Sequence, residues 1–287
     1  MSPVYLTDLD HTFLRSDQTV SPFSAEVWNR IAPDIPLSVA TARSFSKAHL
    51  FLEQLHLDAP MILLDGAMVV MPDKTLIDLK TVDKELGDAV IDAGKRFDGI
   101  EPFVIGLKDR DLNEAFRHPV NVTPMQAEVL ENYRGDPRLE RHTDIRALDE
   151  TLKIVYMAEE ERLRPLTEHL RSVFGDALEL KLSPEKYTGG HFLTVLHPEG
   201  DKAHAMQKVA DHLNRDTADF TVFGDSVNDL GMFRLAGRAC AVANALPEVK
   251  EAADIVLPHT NDEDAVARFL AQIFDIRDST FGKENRT

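Results

Sequence analysis

The chain has a single cysteine among its 287 residues, so no disulfide can form within it. Cys240 lies in the apolar stretch Ala239-Cys240-Ala241-Val242, where a thiol behaves as a small core residue rather than as a nucleophile. Positive charge is scarce too: 32 Lys and Arg stand against 49 Asp and Glu, for a formal net charge of -17. Non-specific binding to nucleic acid or to anionic lipid depends on clustered positive charge, and this balance argues against both. No apolar run reaches the roughly 18 residues that a membrane helix needs. The first residues form a strand pattern rather than a basic leader. A soluble, cytoplasmic protein with no membrane or nucleic-acid partner is expected. Internal repeats, low-complexity tracts and long linkers are also missing, and no feature requires or excludes an oligomer.

Hydrophobic residues make up 43% of the chain, enough at this length for one large domain or two ordinary ones. Short apolar runs end in a polar residue at four places: Val4 to Leu6 before Asp8, Leu37 to Ala40 before Thr41, Met61 to Leu64 before Asp65, and Phe220 to Phe223 before Gly224-Asp225. Each reads as a buried parallel strand, because such strands are covered on both faces and lack alternation. Helical patterns fall between them, one opened by Ser21-Pro22 with Val27 and Ile31, another carrying Leu50, Leu52 and Leu55 after Arg43. This rhythm predicts an α/β fold with a doubly wound, Rossmann-like parallel sheet. Val266, Phe269, Leu270, Ile273 and Phe274 predict a final helix, with Thr260 and Glu263 at capping-box spacing before it. Between residues 72 and 197 the pattern changes to runs such as Phe103-Val104-Ile105 and Phe192 to Leu196, separated by amphipathic segments. An inserted α+β domain over 72–197 is expected, interrupting a core domain made of 1–71 and 198–287.

Asp8-Leu9-Asp10-His11-Thr12 stands where the first strand would end. In extended backbone residues i and i+2 share a side, so Asp8 and Asp10 can face one reacting group while Leu9 turns to the core. One carboxylate can attack while the other handles a proton. By itself the pair reads equally as a turn, since Asp is common there. A second acidic cluster, Gly224-Asp225-Ser226-Val227-Asn228-Asp229, opens a helix through Leu230 and Phe233. A helix cap needs one acceptor side chain, and this segment supplies several. Ligands on open α/β sheets bind beyond the carboxyl ends of the strands, where Asp8, Asp10, Thr41 and Asp225 all fall. Acidic groups from two strand ends make a hard oxygen site suited to Mg2+. Thr41, ahead of Arg43, offers a hydroxyl and nearby backbone N–H groups to a phosphate oxygen, and serves equally as a helix cap before Ser44. Lys202 precedes a helical pattern with Met206, Val209 and Leu213. A lysine there opposes the helix dipole, which a bound anion would explain, though taken singly it also reads as a solvated surface residue.

Together these segments resemble the four motifs of the haloacid dehalogenase superfamily of phosphotransferases, and the insert is similar to the C2 cap of its Cof-type branch. Asp8 to Thr12 matches the first motif, Ala40-Thr41-Ala42-Arg43 the second, Lys202 the third, and Gly224 to Asp229 the fourth. The resemblance implies a Mg2+-dependent phosphatase acting on a small phosphorylated metabolite, such as a sugar phosphate or cofactor phosphate. It implies Asp8 as the nucleophile that forms an aspartyl-phosphate, and Asp10 as general acid and then base. Mg2+ would be held by Asp8, the backbone carbonyl of Asp10, and Asp225, with Asp229 supporting that shell. Thr41, Lys202 and Asn228 would hold the phosphate. The insert would close over the core and exclude water, with Lys186, Tyr187 and Gly189-Gly190 reading either as cleft residues or, more commonly, as ordinary surface residues of a cap loop. A phosphomutase or other phosphotransferase of the superfamily is the near alternative. A non-enzymatic phosphometabolite-binding regulator is the more distant one, and should lack the nucleophile or a metal ligand, whereas Asp8, Asp10, Lys202 and Asp225 are all present.

Three segments depart from the pattern, and one further residue resembles it. His11 stands where the family usually has Gly, and either touches the leaving group or packs on the loop. Asp65-Gly66-Ala67 replaces the common Asn-Gly-Ala and adds negative charge near an acidic site, which bears on substrate preference. Asp201-Lys202-Ala203 keeps only the lysine of the frequent Ser-Lys-Gly. Asn244, in Ala243-Asn244-Ala245, resembles a family element that lines the site and reads equally as a turn-forming Asn. His11, Arg43, Asp65 and Asn244 are thus the candidate substrate-lining residues.

Overall fold

The computed structural model of the chain describes residues 3–109, 111–184 and 190–276. Lys186, Tyr187 and Gly189 lie outside the described residues, as does the segment 277–287. The chain divides into two compact units, Met1–Asp78 with Lys202–Thr287, and Leu79–Asp201.

The first unit begins with β1 (Val4–Thr7), α1 (Pro22–Ile31), β2 (Leu37–Val39), α2 (Phe45–Leu52), β3 (Met61–Leu63) and β4 (Met68–Val70), and β5 (Leu76–Leu79) runs to its boundary. The Ser21 hydroxyl caps α1 by accepting from the Ser24 N–H at 3.0 Å, and Pro22 takes a first-turn position where its missing N–H would have no helical partner. The helix buries Trp28 and Ile31, and Trp28 Nε1 donates to the His56 carbonyl at 2.8 Å. A buried indole thereby keeps its hydrogen bond.

The second unit contains α3 (Lys84–Asp98), β6 (Phe103–Leu107), β7 (Glu114–Pro119), α4 (Pro124–Asn132), β8 (Leu139–His142), β9 (Glu150–Ala158), α5 (Glu160–Phe174), β10 (Glu179–Pro184) and β11 (His191–Leu196). Its strands form one sheet in the order β10-β11-β9-β6-β7-β8, antiparallel except between β7 and β8. Strand alternation sends Val104, Ile154, Tyr156, Leu193 and Val195 into a core with Val90 and Ile91 of α3 and Leu163, Leu166 and Leu170 of α5. Each fully buried aliphatic side chain contributes about 1.5–3 kcal/mol to such a core. Tyr156 approaches α3 so closely that a Cβ on Gly94 would strike its ring. Its hydroxyl donates to the Val90 carbonyl at 3.0 Å.

The chain then completes the first unit with α6 (Lys202–Leu213), β12 (Phe220–Gly224), α7 (Leu230–Leu235), β13 (Arg238–Ala241), α8 (Pro247–Ala252), β14 (Ile255–Val256) and α9 (Ala265–Ile273). Five strands make a parallel sheet in the order β14-β13-β12-β1-β2. Thr7 at the end of β1 pairs with Phe223 of β12 and with Val39 of β2. The segments that begin with Asp8 and Asp225 therefore leave neighbouring strands at the same edge.

Three local features differ from the sequence pattern. The run Met61 to Leu64 is buried as expected, but only one parallel bridge, Ala40 to Ile62, links it toward β2. That bridge is parallel, as expected, but β3 forms its ladder antiparallel with β4 in a three-stranded sheet β3-β4-β5, so an apolar run reports burial and not the pairing partner. The Thr260–Glu263 capping box closes the single turn Asn261–Glu263, and α9 starts only after Asp264, whose φ of 60° interrupts the helical path. β8 sits at a sheet edge with polar residues and β14 has two residues, so neither carries an apolar run.

Among the described residues no helix is long and apolar enough to cross a membrane. Cys240 is fully buried on β13, and burial pushes its thiol up to about 12. We expect no reaction with an aromatic disulfide reagent in the folded protein and complete labelling after denaturation, read by absorbance. Rapid labelling of the native protein would contradict this placement.

Candidate active site

β1 ends at Thr7, and Asp8 keeps extended backbone at φ -63° and ψ 158°. A wide turn then runs from Leu9 to Phe13, in which Asp10 is extended and His11 is left-handed at φ 58°. The segment is a turn rather than the continued strand whose alternation would place Asp8 and Asp10 side by side. Leu9 and Asp8 are buried, and Asp10 is half-buried. The left-handed backbone gives a reason for Gly at the His11 position in the resembling family, and His is among the side chains that tolerate it. Asn244 Nδ2 donates to the His11 carbonyl at 2.7 Å, and Asn244 Oδ1 accepts from the Asn261 N–H at 2.9 Å. Asn261 Nδ2 donates to the Leu14 carbonyl at 3.0 Å. Asn244 therefore braces the Asp8 loop, and Asn261 holds the end of that loop.

Lys202 stands at the start of α6 and is 0% exposed, which removes the alternative of a solvated surface lysine. Its ammonium donates to Asp8 Oδ1 at 2.7 Å and to Asp229 Oδ1 at 2.8 Å. Asp229 Oδ2 accepts from the backbone N–H groups of Asp225 and Ser226 at 3.0 and 3.1 Å, so one carboxylate shapes the turn after β12. A Cβ at position 224 would lie 2.5 Å from that oxygen, which requires Gly224. Thr12 Oγ1 donates to Asp225 Oδ1 at 3.2 Å and joins the two acidic segments directly. Asp8, Asp225 and Asp229 are all buried and each offers an oxygen within 4.8 Å of the others. Asp10 turns its carboxylate to Arg43, whose Nε and Nη2 donate to it at 2.8 and 2.5 Å. Arg43 also donates to Gln18 Oε1 at 3.2 Å and lies 4.1 Å over the Phe51 ring.

Burial pushes the Asp8 carboxyl well above the usual carboxylate range; the Lys202 ammonium pulls it down, while Asp229, Asp225 and Asp10 push it up. Burial also works against the charge on Lys202, but Asp229 and Asp8 outweigh it and hold the ammonium above its usual range. Burial is the main cause for Asp8, and the excess of carboxylate charge over Lys202 adds to it; the same excess is what raises Lys202. Their donor set is all oxygen, which fits a hard divalent cation.

Thr41 is fully buried after β2, and its hydroxyl accepts from the Arg43 N–H at 3.1 Å. Asp65 is buried at the tip between β3 and β4, where its N–H donates to the Thr41 carbonyl at 3.0 Å. Its Oδ1 accepts from Asn228 Nδ2 at 3.2 Å. The expected residues thus form linked groups: Asp8, Asp225, Asp229 and Lys202; Thr41, Asp65 and Asn228; Asp10 with Arg43; and His11 with Asn244. Sequence reasoning missed the roles of Thr12 and Asn261. Thr12 stood inside the first motif, but its partner is 213 residues away.

The comparisons with known proteins agree in one direction. The chain is 24% identical over 285 residues to a 5-amino-6-(5-phospho-D-ribitylamino)uracil phosphatase of Bacillus subtilis, covering 94% of this chain and 96% of that protein. It is 24% identical over 290 residues to an HMP-PP phosphatase of Cronobacter sakazakii, covering 93% and 94%. A solved haloacid dehalogenase-like hydrolase from B. subtilis has the same fold, with a TM-score of 0.74 at 21% identity over 94% of this chain and 99% of that one. A family model described as haloacid dehalogenase-like hydrolase matches residues 5–270. With that match spanning most of its length, the chain belongs to the haloacid dehalogenase-like hydrolases.

Proposed function

We propose that this enzyme is a Mg2+-dependent phosphomonoester phosphatase that acts on a small phosphorylated metabolite through an aspartyl-phosphate on Asp8. The observation that carries the reading is the buried group of Asp8, Asp225 and Asp229 around the Lys202 ammonium, an anionic centre short of positive charge at the ends of neighbouring strands. The relatives named as phosphatases for 5-amino-6-(5-phospho-D-ribitylamino)uracil and for HMP-PP support the substrate class.

We assign Mg2+ to Asp8, the backbone carbonyl of Asp10, and Asp225. Asp229 supports them, because its two oxygens already serve Lys202 and the turn's N–H groups. When bound, the ion offsets repulsion between Asp8 and the substrate phosphate and neutralises charge in the transition state. Asp8 attacks phosphorus from its fixed position at the strand end, with the leaving oxygen departing in line. Asp10, its carboxylate plane held by the two Arg43 contacts, protonates that oxygen and later takes a proton from the water that opens the acyl-phosphate. Lys202 fixes one Asp8 oxygen and presents positive charge where the phosphoryl oxygens gain negative charge. The Thr41 hydroxyl and the Asn228 amide hold the remaining phosphate oxygens. We assign the chemistry to the core, 1–71 with 198–287, and the choice of leaving group to the insert, 72–197, as a cap.

Phosphate release from a panel of sugar and cofactor phosphates tests this reading. We expect release that stops on adding EDTA and returns with Mg2+, since an acidic, all-oxygen site without its cation leaves the anionic reactants unshielded. Release that continues undiminished through chelation would contradict the metal assignment. Transfer to an added alcohol in preference to water would favour the phosphotransferase.

A further inference from the structure

We propose that Asp65 is a positioning residue that holds the Asn228 amide and the Thr41 loop in one register, acting through a hydrogen bond rather than through its charge. The inference rests on the phosphatase reading above, which gives Thr41 and Asn228 their phosphate.

Three successive residues at the tip between β3 and β4 have positive φ: Leu64 at 53°, Asp65 at 64° and Gly66 at 118°. Leu64 carries a side chain that disfavours this region, whereas Asp and Gly tolerate it, and such backbone persists only where its surroundings over-determine it. Here the surroundings are the second motif. The Leu64 N–H donates to the Arg43 carbonyl at 3.0 Å, and the Asp65 N–H donates to the Thr41 carbonyl at 3.0 Å. The strained tip is thus tied to the loop that carries the Thr41 hydroxyl. On its side-chain end, the 5% exposed Asp65 accepts from Asn228 Nδ2 at 3.2 Å. An ionised carboxylate only accepts, so this contact fixes which end of the Asn228 amide faces Asp65 and leaves the second Nδ2 proton for a phosphate oxygen. One residue therefore joins, by main chain and side chain, the loops that follow β2 and β12.

The backbone supplies the discriminating substitutions. A φ of 64° suits Asn and Gly as well as Asp, so D65N and D65G both keep the tip. Asparagine still presents an amide oxygen to Asn228, whereas glycine presents nothing. The full-length wild type, D65N, D65G, N228A and D65G/N228A are compared with Mg2+ and p-nitrophenyl phosphate, with inorganic phosphate as inhibitor and melting curves to verify folding. A phosphate contact made equally in the ground and transition states moves KM, so we expect D65G to raise KM and the phosphate inhibition constant together by about 10-fold, with kcat within about 3-fold. N228A should match it, and the double variant should be no worse than N228A alone, since both remove one coupled contact. D65N should restore KM to within about 3-fold of the wild type, because the acceptor remains. Additive losses in the double variant, or a D65N as impaired as D65G, would overturn the assignment. A wild type without Mg2+-dependent phosphate release would remove the phosphatase reading itself; an active wild type with additive variants removes only the role of Asp65.

Discussion

Asparagine in place of Asp8 should lower kcat by about four orders of magnitude or more while leaving the fold intact, as for removal of a covalent nucleophile. The amide oxygen can still accept from Lys202, which donates to Asp8 Oδ1 at 2.7 Å, so the local geometry survives. The amide cannot attack phosphorus and brings no charge to a metal. The substitution also removes a carboxyl whose charged form is opposed by burial and by Asp229, Asp225 and Asp10, with only Lys202 favouring it. A metal-free D8N protein should therefore denature at or above the wild-type midpoint, as strained catalytic groups commonly cost stability. Mg2+-dependent phosphate release within about tenfold of the wild type would contradict the nucleophile assignment.

The second large effect falls on stability. Lys202 is wholly buried between Asp8 and Asp229, at 2.7 and 2.8 Å. Replacing it by the similarly long, uncharged Met leaves two buried carboxylates without their counter-ion, a change that costs about 3–5 kcal/mol in comparable pairs. We expect K202M to unfold at clearly lower denaturant, and K202M/D229N to recover part of that loss because the unpaired Asp229 charge has gone with its partner. Activity should not recover, since the cation at the phosphoryl site is still missing. An unchanged denaturation midpoint in K202M would contradict the picture of Lys202 as the buried centre of this charge group.

The parts of this site that were legible before the structure are those that short segments encode. Apolar runs ending at Asp8, Thr41, Asp65 and Asp225 marked the strand ends, because a buried strand has few ways to finish except in a polar loop. Ser21-Pro22 likewise announced α1 through local cap chemistry. What stayed hidden depends on contacts distant in sequence. Nothing near Lys202 reveals that its ammonium is buried between carboxylates from two other segments, and lysines at large are seldom buried. The turn at Leu9 to Phe13 replaced an extended i, i+2 pair, so Asp8 faces Lys202 while Asp10 faces Arg43. From sequence Asn244 reads equally as a site residue or a turn residue, and its bonds to the His11 carbonyl and the Asn261 N–H brace the Asp8 loop. The antiparallel pairing of β3 with β4 was hidden as well, because periodicity carries burial but not partner.

The central claim, a phosphoryl group passed first to Asp8 and then to water, is tested most directly by the stereochemistry at phosphorus. Each in-line displacement inverts the configuration, so two steps through Asp8 give net retention. With an isotopically chiral phosphorothioate ester hydrolysed in labelled water, we expect the thiophosphate product to show retention. Inversion would mean a single direct attack by water and would contradict the role given to Asp8.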